Sequence, residues 1–125
     1  MTLAYNKVKG REYETAVSKW FNQFGFRTER RRLQGVEDRG DLTGLPNLVV
    51  ECKNEQGWSN ALTWLGEASL EAYNDHKVTG EPTLGVVFKR VKGHPDPNHW
   101  VVMMTPETFM SLYRTWVDTH GGTDA

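Results

Sequence analysis

From residue 10 to residue 24 the apolar side chains Tyr13, Ala16, Val17, Trp20, Phe21 and Phe24 recur at intervals of three and four, the signature of one helical stripe, and Gly25 closes it. Residues 26–33 mix β-formers with Arg30-Arg31-Arg32, which predicts a short strand leading into a loop over 35–40. A second short strand is expected over 41–43. It meets the turn-forming Gly44-Leu45-Pro46-Asn47 and then the run Leu48-Val49-Val50-Glu51-Cys52-Lys53, so the two strands read as a hairpin. Over 58–76, Ala61, Leu62, Leu65, Ala68, Ser69 and Ala72 share one helix face and Glu67, Glu71 and Asp75 another. Gly80 and Pro82 break that helix, 84–89 reads as a buried strand, 93–98 as a loop and 100–104 as a strand. Thr105-Pro106-Glu107 then starts a last helix with a capping hydroxyl and Pro at the first position, and its apolar stripe is Phe109, Leu112, Tyr113 and Trp116. The order αβββαββα predicts an α/β (mixed α+β) fold, a central mixed sheet flanked by helices.

With 125 residues, 38% hydrophobic and 25% charged, the chain reads as a single domain over 1–125 with ample material for one core, residues 1–8 and 120–125 being expected to be flexible. Its longest apolar runs are far short of the roughly 20 residues of a membrane span, and no apolar segment follows the opening residues. Membrane and secreted readings drop out, leaving a cytoplasmic expectation. The single Cys52 excludes an internal disulfide and a multi-cysteine zinc site, so any metal must be held mainly by oxygen.

The net charge of −1 hides an asymmetry. Residues 1–34 carry eight Lys/Arg against three Glu, and the remainder seven against thirteen Asp/Glu. A basic first third on an acidic remainder suits a polyanion-binding enzyme with a carboxylate cluster.

Side chains two apart on a strand point the same way, about 6.6 Å apart, so Glu51 and Lys53 share one face and Val50 and Cys52 the other. An exposed ion pair is the plain alternative for an isolated Glu-x-Lys. Asp75-His76-Lys77 also fits acid-x-Lys, but at a helix end, where its side chains do not share a face. The company of Glu51 and Lys53 distinguishes them. A three-residue loop over 44–46 would set Asp41 opposite Val49, diagonal to Glu51; a two- or four-residue loop would turn it away and make Asp38 the better ligand. Glu14 borders the apolar stripe of the first helix, about 60° round from Val17, and can reach the edge of the sheet.

Oxygen ligands without a Cys/His set favour Mg2+, with Mn2+ able to substitute, and the Cys52 backbone carbonyl can add a ligand to Asp41 and Glu51. The chemistry that fits is phosphodiester hydrolysis, with Lys53 orienting or helping to deprotonate the water and steadying the charge that builds on phosphate. If a second ion binds, Glu14 is its natural ligand.

Lys9-Gly10-Arg11-Glu12-Tyr13-Glu14, Gly25-Phe26, Asp41 and Val49-Val50-Glu51-Cys52-Lys53 stand in an order and spacing that resembles the PD-(D/E)XK nuclease superfamily, most sharply the archaeal and phage Holliday-junction resolvases. The resemblance spans residues 9–54. It implies a restriction-endonuclease-like core, Asp41 and Glu51 as metal ligands, Lys53 as catalytic lysine, Glu14 as auxiliary acid, and a structure-selective endonuclease of DNA recombination and repair, located in the host cytoplasm if phage-encoded. It also implies a homodimer, since two symmetric cuts in a junction call for two sites about a two-fold axis. Two positions depart from the pattern. Gly40 stands where the family has Pro, and the loop over 34–39 is short and acidic where resolvases often carry serine near the DNA. A further polar residue on the following helix is left open among Glu67, Glu71 and Asn74.

Branched or duplex DNA is the expected partner, its phosphates met by Lys9, Arg11, Arg27, Arg30, Arg31 and Arg32 and by a second cluster of Lys89, Arg90 and Lys92. His94 and His99 lack metal-ligand spacing. Trp58 and Trp64 exceed what one helix face needs and hint at a dimer surface. Alternatives are a restriction-like, mismatch or flap endonuclease of the same superfamily, or a DNA-binding module without turnover.

Overall fold

The computed structural model describes the backbone of residues 3–32 and 38–121 and the side chains of 9–32 and 38–121. Among these the elements run α1 (Leu3–Asn22), β1 (Glu29–Arg30), β2 (Leu42–Thr43), β3 (Leu48–Lys53), α2 (Ala61–Thr79), β4 (Leu84–Lys89), β5 (Val101–Met103) and α3 (Pro106–His120), with one 3-10 turn at Pro97–His99. The fold is mixed α+β in the expected order. No described helix is long and apolar enough to cross a membrane.

Both ends of the helical set extend further than expected. Helix α1 already holds residues 3–8, and α3 reaches His120; residues 1–2 and 122–125 lie outside the described residues. Gly10 does not start α1 but lies inside it, where its side has open space and the backbone cost is about 1 kcal/mol.

The sheet is also partitioned differently. β3 pairs with β4 in parallel, Glu51 opposite Val87 and Lys53 opposite Lys89, and β4 pairs with β5 antiparallel. β2 pairs with β1 rather than forming a hairpin with β3. Asp41, the residue before β2, reaches β3 instead: its N–H donates to the Val50 carbonyl at 3.0 Å. β1 is pinned to α1 by Thr28, whose hydroxyl donates to the Ser18 carbonyl at 2.7 Å and whose N–H donates to Asn22 Oδ1 at 2.7 Å.

Alternation along β3 sorts the core into two layers. Val50 packs with Tyr13, Val17, Phe21, Leu42, Val86 and Phe88 against α1, while Val87 packs with Trp64 and Ala68 of α2. A Cβ on Gly85 would run into the Ala68 carbonyl, so this glycine lets α2 lie close on the sheet. The Glu51 face of β3 is therefore the α2 face.

That contact turns α2 away from its expected orientation. The buried stripe is Trp64, Ala68, Glu71, Ala72 and Asp75, with Asn74 beside it, whereas Leu62 is 84% exposed and Ser69 faces solvent. A helix laid on a strand that carries Glu51 must present polar groups there. Trp64 is thus core rather than a dimer surface.

Candidate active site

Asp41, Glu51 and Lys53 meet at the carboxyl end of β3. Asp41 is fixed by its own backbone and by β3: its Oδ2 accepts from Cys52 N–H at 2.7 Å, its N–H donates to Val50, and its carbonyl accepts from Arg31 N–H at 2.7 Å. Although the connection over 44–47 has four residues, Asp41 does not turn away, because β2 leaves the ladder and Asp41 straddles Val50 and Cys52 instead. Its carboxyl lies within hydrogen-bonding reach of Glu51. The preceding Gly40 has φ +96°, and a Cβ there would lie 2.7 Å from Val49 Cγ1. Proline, locked near −65°, cannot occupy this backbone.

Glu51 is 6% exposed and approaches two carboxylates, Asp41 and Glu71. Glu71 comes from α2 and Asp38 from the segment before β2: Asp38, Glu51 and Glu71 each offer a carboxylate oxygen within 4.8 Å of the others. Asn74 does not point into the cluster but donates from Nδ2 to the Asp38 carbonyl at 2.8 Å. Asp38 Oδ1 accepts from Gly40 N–H at 2.9 Å. Of the acidic loop expected over 34–39, residues 34–37 lie outside the described residues.

Glu14, on α1, faces Asp41 from the other side and lies 3.8 Å from Arg30. Burial is the main force on all these carboxyls, and their mutual repulsion adds to it. Asp41 is pushed up to about 8, Glu51 to about 8, Glu14 to about 7 and Glu71 to about 7.

Lys53 is raised too, which for a lysine favours the charged form. Desolvation works against its charge, but the hydrogen bond to Glu67 Oε2 at 2.9 Å and the charge of Glu51 outweigh it and raise its pKa. Lys53 is an ammonium held in place, suited to stabilising negative charge rather than to taking a proton.

The expected basic track is only partly on this side of the molecule. Lys9 and Lys53 line a groove of about 640 Å³ with Cys52, Asn54, Glu55 and Gln56, and Lys9, Arg90 and Lys92 line a neighbouring one together with Glu12 and Glu55. Arg27 and Arg32 are exposed, as is Arg11. Arg31 instead points to the Leu42 carbonyl at 3.4 Å and shares a separate groove with Arg39 and Asp75. Lys89 leaves the track altogether. It is 3% exposed, donates to the Glu55 carbonyl at 2.8 Å and lies 4.3 Å from the Trp58 ring, so it clamps the segment after β3.

The donor set fits a hard divalent cation. All side-chain donors are carboxylate oxygens, and Glu71 Oε2 is buried without a hydrogen-bond partner. Glu71 and Asp38 are the residues that sequence reasoning left open or held in reserve. The available signal was Glu71 being two helical turns after Trp64, the bulkiest apolar side chain of α2. Set against models of protein families, curated proteins and solved structures, the chain matches none.

Proposed function

We propose that this chain is a Mg2+-dependent endonuclease with a restriction-endonuclease-like core that hydrolyses phosphodiester bonds of branched DNA, as a Holliday-junction resolvase does, and works as a homodimer. The observation that carries the reading is the convergence of Glu14, Asp41, Glu51 and Lys53 beside a groove lined by Lys9. A bound divalent cation supplies a water of lowered pKa and neutralises charge on the phosphate. Asp41, Glu51 and the Cys52 carbonyl are the groups that would hold it, with Mn2+ an acceptable substitute.

The chain's own residues do the rest. Lys53, kept cationic by Glu67, offsets the negative charge that develops on the phosphate oxygens. Glu14, with its carboxyl near neutrality, can hold or release a proton beside the reacting centre. Lys9, Arg90 and Lys92 position the phosphate backbone along the adjoining grooves without reading sequence. The exposed apolar row of α3 supports self-association.

The test is cleavage of an end-labelled four-way junction and a matched linear duplex in Mg2+, with Lys53→Ala and Asp41→Ala alongside the native chain. Paired symmetric nicks near the branch, lost in both variants, are expected. Cutting confined to linear duplex would favour a restriction-like enzyme, and junction binding without any cut would favour a DNA-binding module.

A further inference from the structure

We propose that Asp38, Glu51 and Glu71 form a second divalent-cation seat on the α2 side of β3, so that Glu51 lies between two ions. The proposal rests on the reading of Asp41 and Glu51 as the first seat, and it moves the second one from Glu14 on α1 to Glu71 on α2.

Three carboxylate oxygens within 4.8 Å of one another have the spacing of ligands around one ion, since oxygens bound at about 2.1–2.4 Å on opposite sides of a cation are no farther apart than that. The second observation is Glu71 itself. Its side chain is 5% exposed, its Oε2 has no hydrogen-bond partner, and its carboxylate is turned toward Glu51 and Asp38. A buried carboxylate oxygen without a donor is costly, a cost that a shared proton meets in the ion-free chain and that a bound cation would meet in its place. Among the described residues neither Lys53, hydrogen-bonded to Glu67 at 2.9 Å, nor Arg39, bonded to Asp75 at 2.7 Å, donates to Glu71 Oε2.

The seat is also preset. Asn74 grips the Asp38 carbonyl from α2, and Gly40 N–H engages Asp38 Oδ1, leaving the second carboxylate oxygen for a ligand role. Asp41 sits on the other flank of Glu51 with its Oδ2 on Cys52 N–H, outside the trio. Oxygen donors with no nitrogen or sulfur select Mg2+ or Mn2+ rather than zinc or copper, and two ions sharing one carboxylate would lie about 3.5–4 Å apart.

Mn2+ binding to the full chain, counted by loss of the free-ion paramagnetic signal and by calorimetry, tests this without reference to activity. The native chain is expected to bind two ions. Glu71→Gln and Asp38→Asn should each retain one and weaken the other by at least the roughly 10-fold that losing even an outer-shell partner costs. Asp41→Asn should weaken the other ion, and Glu51→Gln both. Melting temperatures in chelator report whether each variant folds, and Asp38, which is exposed, gives a variant that does not disturb the core. Native-like binding by both Glu71→Gln and Asp38→Asn, or a native stoichiometry of one or none, overturns the second seat. In the first case, loss of an ion in Asp41→Asn leaves the first seat standing. Loss in Glu71→Gln but not in Asp41→Asn upholds the α2 seat and removes the first.

Discussion

The ammonium of Lys53 lies 2.9 Å from Glu67 Oε2, so the last residue of β3 is held by the second turn of α2. This contact raises the lysine pKa against the pull of desolvation and fixes the direction of its charge. Lys53→Ala should therefore slow single-turnover cleavage by about 10²- to 10³-fold, the usual effect of removing one donor to a developing anion. Glu67→Gln should slow it far less, by about 10-fold, by loosening Lys53 without removing it. Mn2+ affinity should be unchanged in Glu67→Gln. A Glu67→Gln protein that loses ion binding would show that Glu67 belongs to the metal site rather than to the lysine.

The raised carboxyls give the chelator-treated protein a definite pH dependence. Unfolded Asp and Glu titrate near about 4, whereas folded Asp41 and Glu51 are pushed up to about 8 and Glu14 and Glu71 to about 7. Between those values the folded chain holds protons that the unfolded chain has released, so stability is fully present below about pH 4 as far as these groups go and is lost as pH rises through 7 and 8. Melting temperature in chelator should fall from pH 5 to pH 8.5, and saturating Mn2+ should remove much of that fall. Glu51→Gln, which resembles the protonated acid, should melt above the native chain at pH 8.5 and close to it at pH 5. A native melting temperature that rises over this range would contradict the carboxylate arrangement.

Glu51 and Lys53 were legible because an apolar run with alternating faces announces a strand, and their shared face follows from its period. Asp41 was legible by spacing, but its placement was not. Gly40 at φ +96° and the β1–β2 pairing bring it to β3 by a route that a hairpin does not describe. Glu71 was hidden because hydropathy put it on the wet side of α2, and only contact with the Glu51 face of the sheet turned that side inward. Lys89 misled for the same reason in reverse: a lysine at a strand end looks solvated until Trp58 and Trp64 are seen against it.

Gly40 offers a test of how Asp41 is positioned. A methyl group at residue 40 meets the Val49 side chain at 2.7 Å and the Val50 carbonyl at 3.2 Å, on a backbone that L-residues rarely adopt. Gly40→Ala should lower stability by about 1–3 kcal/mol in urea titration, the cost of a residue held in such a region. Because Asp38 and Asp41 lie on either side of it, Mn2+ binding should weaken as well. Native stability and native binding in Gly40→Ala would mean that the backbone between the two aspartates is free to adjust.

Helix α3 presents Phe109, Leu112, Tyr113 and Trp116 on one stripe at 100° per residue, and all four are exposed, Trp116 by 60%. Phe109 stacks on Tyr113 and Trp116 on His120, so the row is continuous along the helix. The row is also symmetric about its centre: paired antiparallel across a two-fold axis, Phe109 of each copy would meet Trp116 of the other, and Leu112 would meet Tyr113. Antiparallel helices in addition place opposite dipole ends side by side. Sedimentation equilibrium should therefore give a dimer. Leu112→Glu, which puts two like charges at the centre of the stripe, should give a monomer with an unchanged Mn2+ stoichiometry, because the carboxylates come from α1, the segment before β2, β3 and α2. A native chain that stays monomeric at micromolar concentration would remove the homodimer, and a Leu112→Glu protein that remains a dimer would move its interface away from α3.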